Sequence, residues 1–371
     1  MDDHEEFGIK RERVAALLGR SGLEGVLLGT RHNFAWLTGG GQNYVNQASD
    51  GGVAALLVTA EHIWCFCANI EADRIADEEV GRLGIEVVGF PWWEPAQLGG
   101  LLADRVNPAR MAADVRPAGV PAAAQALPTG FDRLRWRLTE AETARYRRLG
   151  AIVGRELEAG CRSVRVGAAE HQIAGDLAGR LAREGVRTPV VLVAADERVA
   201  RYRHPIPTDK RVERYFMVVV CGERQGLICS ATRLVHFGRL PDELAAKHQA
   251  VCRVDGRMIG ATRPGGTLGA VFAEAQAAYA EAGWPDEWKL HHQGGPTGYL
   301  SRDAKASPGN DVEVFEDQAF AWNPSIAGTK SEDTVLVTSA GNEVLTATGE
   351  WPSLHIDVGS ARYSRPDILV L

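Results

Sequence analysis

The sequence predicts a mixed α/β protein of two domains, and three observations support this. The first third alternates apolar runs with helical patterns, a Pro/Ala/Gly-rich stretch follows, and a second set of helices and strands comes after it. At about 150 residues per domain, a chain of 371 residues favours two domains. We expect an N-terminal α/β domain over residues 1–130 and a C-terminal domain over residues 131–371.

Strand and helix signals alternate in the first domain. The apolar runs at residues 25–29, 53–59 and 62–68 predict buried strands. Residues 71–83 have helical spacing, and residues 84–90 return to a strand pattern. This alternation indicates a sheet that is covered by helices.

The second domain begins after residues 115–129, whose Pro, Ala and Gly content is typical of a link. Thr139 and Glu142 have the spacing of a capping box, which predicts a helix running towards Gly160. The remaining predicted elements are helices at 168–184, 243–261 and 268–282, strands at 190–194, 215–220 and 226–232, and two strands joined by a turn at 318–337.

Composition excludes several classes of function. The formal charge of −7 and the absence of a basic stripe disfavour a nucleic-acid surface. No apolar run approaches the roughly 18 residues of a membrane helix, and the acidic start of the chain is unlike a secretory signal. We therefore expect a cytoplasmic protein without a membrane partner, whose six cysteines are reduced.

Several short motifs occur in a characteristic order. They are NFAWLTG at 33–39, His204-Pro205, GLICSATR at 226–233, HHQGG at 291–295, and WNPS at 322–325 followed by SEDTVLV at 331–337. In order and spacing they resemble the family of creatinase, prolidase and aminopeptidase P, over nearly the whole chain. The resemblance implies an N-terminal creatinase-like α/β domain and a C-terminal pita-bread catalytic domain.

The resemblance also implies a metal site in the peptidase members, where two divalent ions are held by two Asp, one His and two Glu. Carried over, the two Asp fall on Val220 and Ser230, the His on His292, and the two Glu on Asn323 and Glu332. Divalent cations need several anionic oxygens to replace their hydration shell, and these residues offer one carboxylate. We therefore predict no metal and no cofactor, and a single zinc at His292 and Glu332 stays open.

Cys221 and Cys229 adjoin the two lost Asp positions and could act as soft ligands. On a strand, each cysteine would point to the opposite face from the lost position that it adjoins. We expect neither to replace a metal ligand.

Creatinase, which works without metal, suggests the catalytic groups. The resemblance implies that His204 moves the proton, that Glu332 is its partner, and that Arg302 holds a substrate carboxylate. An imidazole titrates near neutral pH and can both take and give a proton. His291 and His292 would point opposite ways on an extended segment, and we predict that His292 faces the site as the third catalytic residue.

Polar side chains around these groups are the predicted substrate contacts. Thr232 stands where creatinase has a Glu that grips a guanidinium group, and residues 39–51 contain no Arg. A small carboxylate-bearing substrate held by amides and hydroxyls fits better than a cationic one. The predicted substrate-binding residues are Arg302, Asn323, Thr232, Ser230 and, from the neighbouring chain of an expected homodimer, Tyr44.

These expectations lead to a metal-independent, creatinase-like hydrolase that cleaves a C–N bond of a small carboxylate-bearing molecule. Three alternatives stay open. They are a lyase or isomerase of specialised metabolism on the same scaffold, a non-catalytic binding protein, and an Xaa-Pro peptidase-like metalloenzyme.

Overall fold

The computed structural model describes residues 2–371. Its helices are α1 (Asp3–Ser21), α2 (Arg31–Leu37), α3 (Ala72–Arg74), α4 (Gln97–Ala103), α5 (Glu140–Ser163), α6 (Glu170–Arg183), α7 (Glu197–Arg201), α8 (Asp242–Ala261) and α9 (Leu268–Glu281). Its strands are β1 (Gly25–Thr30), β2 (Gly51–Thr59), β3 (Ile63–Ala68), β4 (Glu86–Phe90), β5 (Met111–Ala113), β6 (Gln125–Ala126), β7 (Arg187–Ala195), β8 (Tyr215–Arg224), β9 (Leu227–His236), β10 (Gly294–Thr297), β11 (Ala319–Trp322), β12 (Ser325–Ile326), β13 (Thr329–Lys330), β14 (Asp333–Thr338), β15 (Gly341–Val344), β16 (Ser353–Val358), β17 (Ala361–Pro366) and β18 (Leu369–Val370).

The chain divides into two compact units. The first runs through Arg135 and includes Thr139–Glu142, and the second comprises Trp136–Leu138 and Thr143–Leu371. Along the described residues, no helix combines the length and the apolar character that crossing a bilayer requires.

The first unit is built on a mixed sheet with the strand order β4-β3-β2-β1-β5-β6. Strand β1 pairs antiparallel with β2 and parallel with β5, so both of its edges are covered. Leu27 and Leu57, two of the apolar residues that predicted β1 and β2, are buried in the core of this unit. Phe66 and Leu102 are buried in the same core. The predicted strands of this region are confirmed.

The second unit contains two larger sheets, β7-β8-β9-β18 and β10-β11-β14-β15, and two hairpins, β12-β13 and β16-β17. Helices α8 and α9 contribute Val254 and Phe272 to a core that Trp322 and Val335 complete from β11 and β14. The predicted mixed α/β class is therefore confirmed in both units.

The predicted capping box at the start of α5 is also confirmed. The backbone N–H of Thr139 donates to Glu142 Oε2 at 2.7 Å, and the N–H of Glu142 donates to Thr139 Oγ1 at 3.2 Å. Two backbone donors that the first helical turn leaves unpaired are satisfied in this way.

A buried network of charged side chains ties the C-terminal hairpin to the rest of the second unit. Arg365 on β17 contacts Asp255 Oδ2 at 2.7 Å and Asp333 Oδ2 at 2.8 Å. Arg233 on β9 contacts the other oxygen of Asp333 at 3.0 Å and Glu158 at 3.1 Å. Removing one member would leave buried charges without partners.

We therefore expect Arg365→Met to lower the free energy of unfolding by about 3–5 kcal/mol, because Asp255 and Asp333 lose a shared buried cation. The matched control is Arg362→Met on the same strand, whose pair with Asp357 is exposed, and it should leave the melting temperature unchanged. Thermal unfolding followed by circular dichroism measures both. Equal melting temperatures for the two variants would show that the network adds no stability.

Candidate active site

Three histidines converge in the second unit. His204 follows α7, while His291 and His292 precede β10, from which Gln293 separates them. The Nε2 atoms of His204 and His291 are 3.1 Å apart, so one ring donates a hydrogen bond to the other. The His204 ring centroid lies 6.0 Å from that of His292, so all three imidazoles form one cluster.

The prediction that His291 and His292 point opposite ways is wrong. Their rings stack with centroids 4.4 Å apart and an interplanar angle of 24°. Strand β10 starts only at Gly294, so residues 291–293 lie outside it and strand alternation does not apply to them. The hydrogen-bonded partner of His204 is therefore His291, which the sequence did not single out.

Glu332 lies between two cations. The Lys330 ammonium is 2.7 Å from Oε2, and Arg302 Nη2 is 3.1 Å from Oε1. The Thr232 hydroxyl donates to Oε2 at 2.7 Å, and the Thr232 N–H donates to the Glu332 carbonyl at 3.0 Å. Both carboxylate oxygens thus have partners among Lys330, Arg302 and Thr232. The sequence had instead predicted that Glu332 is the partner of His204.

Local geometry explains how these charges meet. The β12-β13 hairpin turns back so that the Ser331 N–H donates to the Pro324 carbonyl at 3.1 Å. Lys330 ends β13 and Glu332 directly precedes β14, so this turn brings the Lys330 ammonium to the Glu332 carboxylate.

Arg302 reaches the same place because its loop lies directly against β10. A Cβ atom added at Gly295 would lie only 2.2 Å from the Ala304 carbonyl oxygen. The close approach of the two backbones therefore requires glycine at this position.

These contacts set the protonation state of Glu332. Burial raises the pKa of its carboxyl group, but the Lys330 ammonium and the Arg302 guanidinium outweigh burial and lower the pKa to about 2. Glu332 is therefore an anion at neutral pH, paired with two cations.

Burial, reinforced by nearby cations, favours the neutral form of the imidazoles. Burial and then Lys330 lower the pKa of His291 to about 2, and the pKa of His204 is lowered by the same two causes in the same order. Burial, Arg302 and Lys305 lower the pKa of His292 to about 4. A neutral imidazole is the form that accepts a proton.

Strand pairing shows that Val220 and Ser230, onto which the two Asp positions were carried over, lie on opposite faces of the sheet. Cys221, rather than Val220, is the cross-strand partner of Ser230, and Cys221 Sγ lies 3.2 Å from Ser230 Oγ. Cys221 therefore points to the face of Ser230. Burial raises the pKa of the Cys221 thiol, which disfavours the thiolate that a metal would need.

Of the remaining predicted substrate-binding residues, Ser230 and Asn323 belong to the second unit and Tyr44 to the first. Ser230 lies within β9, and its N–H donates to Thr334 Oγ1 on β14 at 2.8 Å. Asn323 is buried, and its Oδ1 has no hydrogen-bond partner among the described residues. Tyr44 belongs to the first unit, where its hydroxyl donates to Gln42 Oε1 at 2.8 Å.

Sequence reasoning missed Lys330 and His291. Lysine before a charged pair is usually a solvated residue, and only 5% of Lys330 is exposed. The Lys-x-Glu spacing of Lys330 and Glu332 was the available signal, because residues two apart on a strand share a face.

The residues at the carried-over metal positions do not fit two divalent ions. Glu332 is the one carboxylate among them, and both of its oxygens already accept from Lys330, Arg302 and Thr232. Ser230 and Asn323 are uncharged, so the anionic oxygens that such ions need are missing.

A different arrangement could hold one ion. The three histidines each offer a nitrogen, and these nitrogens lie within 4.8 Å of one another. Neutral imidazoles are common ligands of transition metals. The cations that lower the pKa of these rings would oppose a divalent ion at the same place.

Comparison with known proteins identifies the family. The profile of metallopeptidase family M24 matches residues 144–339, slightly more than half of the chain. The chain belongs to this family, and the predicted resemblance to the creatinase and prolidase class is confirmed.

Individual relatives are distant. An uncharacterized peptidase of Staphylococcus epidermidis is 24% identical over 218 residues, which are 56% of this chain and 62% of that protein. The chain thus matches about three fifths of the length of such curated relatives.

Solved structures show the same fold along the whole chain. A prolidase from Thermococcus sibiricus has a TM-score of 0.80 at 17% identity and covers 100% of both chains. An Xaa-Pro dipeptidase from Bacillus anthracis has a TM-score of 0.78 at 19% identity, over 98% of this chain and 100% of that one. At these identities the likeness establishes the pita-bread fold only. The reaction has to be inferred from the residues of the site.

We expect all three imidazoles to titrate below the ordinary histidine pKa of about 6.5, since their pKa values are all lowered. In Lys330→Met, the pKa of His204 and of His291 should rise, because Lys330 is the strongest charge acting on both. Nitrogen-detected NMR of the histidine rings measures this, with Lys289→Met as the control for loss of one exposed charge. A wild-type His204 that titrates above pH 6.5 would contradict the prediction.

Proposed function

We propose that the protein is a creatinase-like hydrolase that cleaves a C–N bond of a small carboxylate-bearing molecule without a bound metal ion. The observation that carries the proposal is the ion pairing of Glu332 with Lys330 and Arg302 beside three neutral imidazoles. Protein cations stand next to the one retained carboxylate, and proton-transfer groups lie close by.

His204 is the proposed general base and acid. Its Nε2 lies 3.1 Å from His291 Nε2, so the hydrogen bond between the rings can fix their orientation. A neutral imidazole takes a proton from water as the oxygen attacks the carbon of the C–N bond. The imidazolium then gives that proton to the leaving nitrogen, so one water molecule is consumed and the imidazole is regenerated.

Two buried polar atoms support a substrate with a carboxylate and a donor group. Arg302 Nε and Asn323 Oδ1 have no hydrogen-bond partner among the described residues. Buried polar atoms are nearly always satisfied, so a ligand that accepts from the first and donates to the second would complete the site.

A lyase or isomerase reaction is the second candidate, and the lowered pKa of His204 favours it equally, because elimination also begins with proton removal by a neutral base. A non-catalytic binding role is less supported, since a pure binding site has little need of three adjoining imidazoles. The cytoplasmic location and the homodimer remain predictions.

The metalloenzyme candidate rests on a different observation, the three nitrogens of His204, His291 and His292 within 4.8 Å. The staphylococcal relative is named a peptidase, and the two solved relatives are a prolidase and an Xaa-Pro dipeptidase. An Xaa-Pro peptidase would need a metal at the histidines, because Glu332 is engaged by protein cations.

We expect His204→Ala to lower turnover at least about 100-fold, because it removes the proton-transfer group. His62→Ala, a change of an exposed histidine in the first unit, is the control and should keep full activity. Turnover is measured by mass spectrometry on a panel of N-acyl, amidino and carbamoyl acids. Reaction in heavy-oxygen water should place one label in the product, whereas an unlabelled product would indicate elimination.

We also expect the purified protein to contain no stoichiometric divalent metal, and chelation should leave its activity unchanged. Inductively coupled plasma mass spectrometry with activity assays before and after chelation tests this. One metal per chain, lost in His291→Ala, would overturn metal independence and favour the peptidase candidate.

A further inference from the structure

The hydrogen bond between His204 and His291 contains a single proton. Their Nε2 atoms are 3.1 Å apart, and each neutral imidazole has one N–H donor and one nitrogen with a free electron pair. One ring therefore donates through Nε2, and the other accepts through Nε2. The choice between these two arrangements decides which nitrogen of His204 can take a proton.

The two arrangements give His204 different chemistry. If His291 donates, the hydrogen bond occupies the electron pair on His204 Nε2, and the proton of His204 lies on Nδ1. The His204 ring then has no electron pair left for water. If His204 donates, its proton lies on Nε2 and the electron pair on Nδ1 is free. Only the second arrangement makes the ring a base without breaking its contact with His291.

No carboxylate holds the His204 ring in one tautomer. Within residues 2–371, His291 is the one hydrogen-bond partner of that ring. Both oxygens of Glu332, the partner that the sequence predicted, are occupied by Lys330, Arg302 and Thr232. The contact with His291 therefore sets the tautomer of His204.

The surroundings of the two rings suit a fixed partner and a reacting ring. His204 is exposed, whereas only 8% of His291 is exposed. The His291 ring stacks on His292, and the His291 carbonyl accepts from Gln293 Nε2 at 2.5 Å. The Tyr279 hydroxyl donates to Gln293 Oε1 at 2.9 Å. Buried contacts thus hold His291 in place beside the more open His204.

We infer that His291 is a positioning residue, whose Nε2 accepts the Nε2–H of His204 and so leaves Nδ1 of His204 as the atom that takes the proton. The inference rests on the proposed function for the role of His204 as a base. It deepens that function by naming the reacting atom and the residue that directs it.

The proton balance of the step follows from this arrangement. His204 Nδ1 takes one proton from water as the water oxygen bonds to carbon. The same proton passes from Nδ1 to the leaving nitrogen, which keeps the electron pair of the broken C–N bond. The Nε2 proton stays between the two rings throughout.

His291 would act most strongly while His204 is charged. The hydrogen bond from an imidazolium to neutral His291 is charge-assisted and about twice as strong as one between neutral rings. His291 therefore stabilises the charged intermediate more than the resting site, and this raises turnover rather than substrate binding.

The environment of His291 keeps its ring an acceptor. Burial, the largest cause, and then the Lys330 ammonium lower the pKa of His291 to about 2, so the ring is neutral around pH 7. Its own proton then lies on Nδ1, a buried atom with no hydrogen-bond partner among the described residues. That N–H needs an acceptor, which a bound substrate or water oxygen can supply.

Nitrogen-detected NMR of the ligand-free protein tests the tautomer directly, because the chemical shift of a ring nitrogen shows whether it carries a proton. At neutral pH we expect His204 to be protonated mainly on Nε2 and His291 mainly on Nδ1. Spectra of His204→Ala and His291→Gln assign the two rings. A His204 that does not carry its proton mainly on Nε2 would overturn the inference, whether or not a substrate is known.

Kinetics test the effect on turnover. We expect His291→Leu to lower kcat at least about tenfold with little change in KM, as for the loss of a hydrogen bond to a charged group. His291→Gln keeps an oxygen acceptor and should lose less of kcat than His291→Leu. His62→Leu, a matched change of an exposed histidine in the first unit, should leave kcat unchanged.

A double variant separates positioning from a general structural role. In the His204→Ala background, His291→Leu should cause no further loss of turnover, because His291 acts through His204. A further loss of the same size as in the wild-type background would overturn the inference. If His291→Leu does not fold, the nitrogen spectrum of the wild type still decides.

The inference and the proposed hydrolysis fail separately. Unchanged kcat in His291→Leu, with turnover by the wild type, would overturn the inference and leave the hydrolysis standing. A His204 protonated on Nε2, with no turnover of any panel compound, would overturn the hydrolysis and leave the tautomer standing.

Discussion

The ion pairs of Glu332 with Lys330 and Arg302 determine the chemistry of the whole site. They keep the carboxylate ionised at a depth where burial alone would protonate it, and they occupy both of its oxygens. Their positive field also lowers the pKa of the neighbouring imidazoles. These two cations therefore contribute to the anionic state of Glu332, to the lowered histidine pKa values, of which burial is the largest cause, and to the poor fit to two metal ions.

The position of Glu332 depends on buried contacts of its neighbour at the start of β14. Asp333, the next residue, contacts Arg233 and Arg365, so the main chain directly after Glu332 is held by two buried ion pairs. Asp255 extends the support to α8. A buried network of this kind is costly when it is incomplete, and it allows few alternative positions for the segment. Such rigidity would suit the proposed acid–base role, because proton transfer tolerates little misplacement.

In this molecule, family membership does not by itself identify the reaction. The chain belongs to metallopeptidase family M24, and solved prolidases share its fold over nearly every residue. The residues that we propose to decide the reaction are few, and they include a serine, an asparagine and a lysine as well as histidines and a glutamate. A fold can host a new reaction when a few charges change, because the scaffold is stabilised by cores remote from those positions.

Local patterns in the sequence predicted the fold class and most element positions correctly, because apolar periodicity and motif order are local properties of the chain. The same motifs led to the prediction that His204, Thr232 and Glu332 belong to the site. Only the tertiary structure decided that His291 bonds to His204 and that Lys330 pairs with Glu332 in the interior. His204 and His291 lie between the named helices and strands, where no periodicity constrains the direction of a side chain. The burial of a charge depends on what packs around it, and that information lies in the fold as a whole.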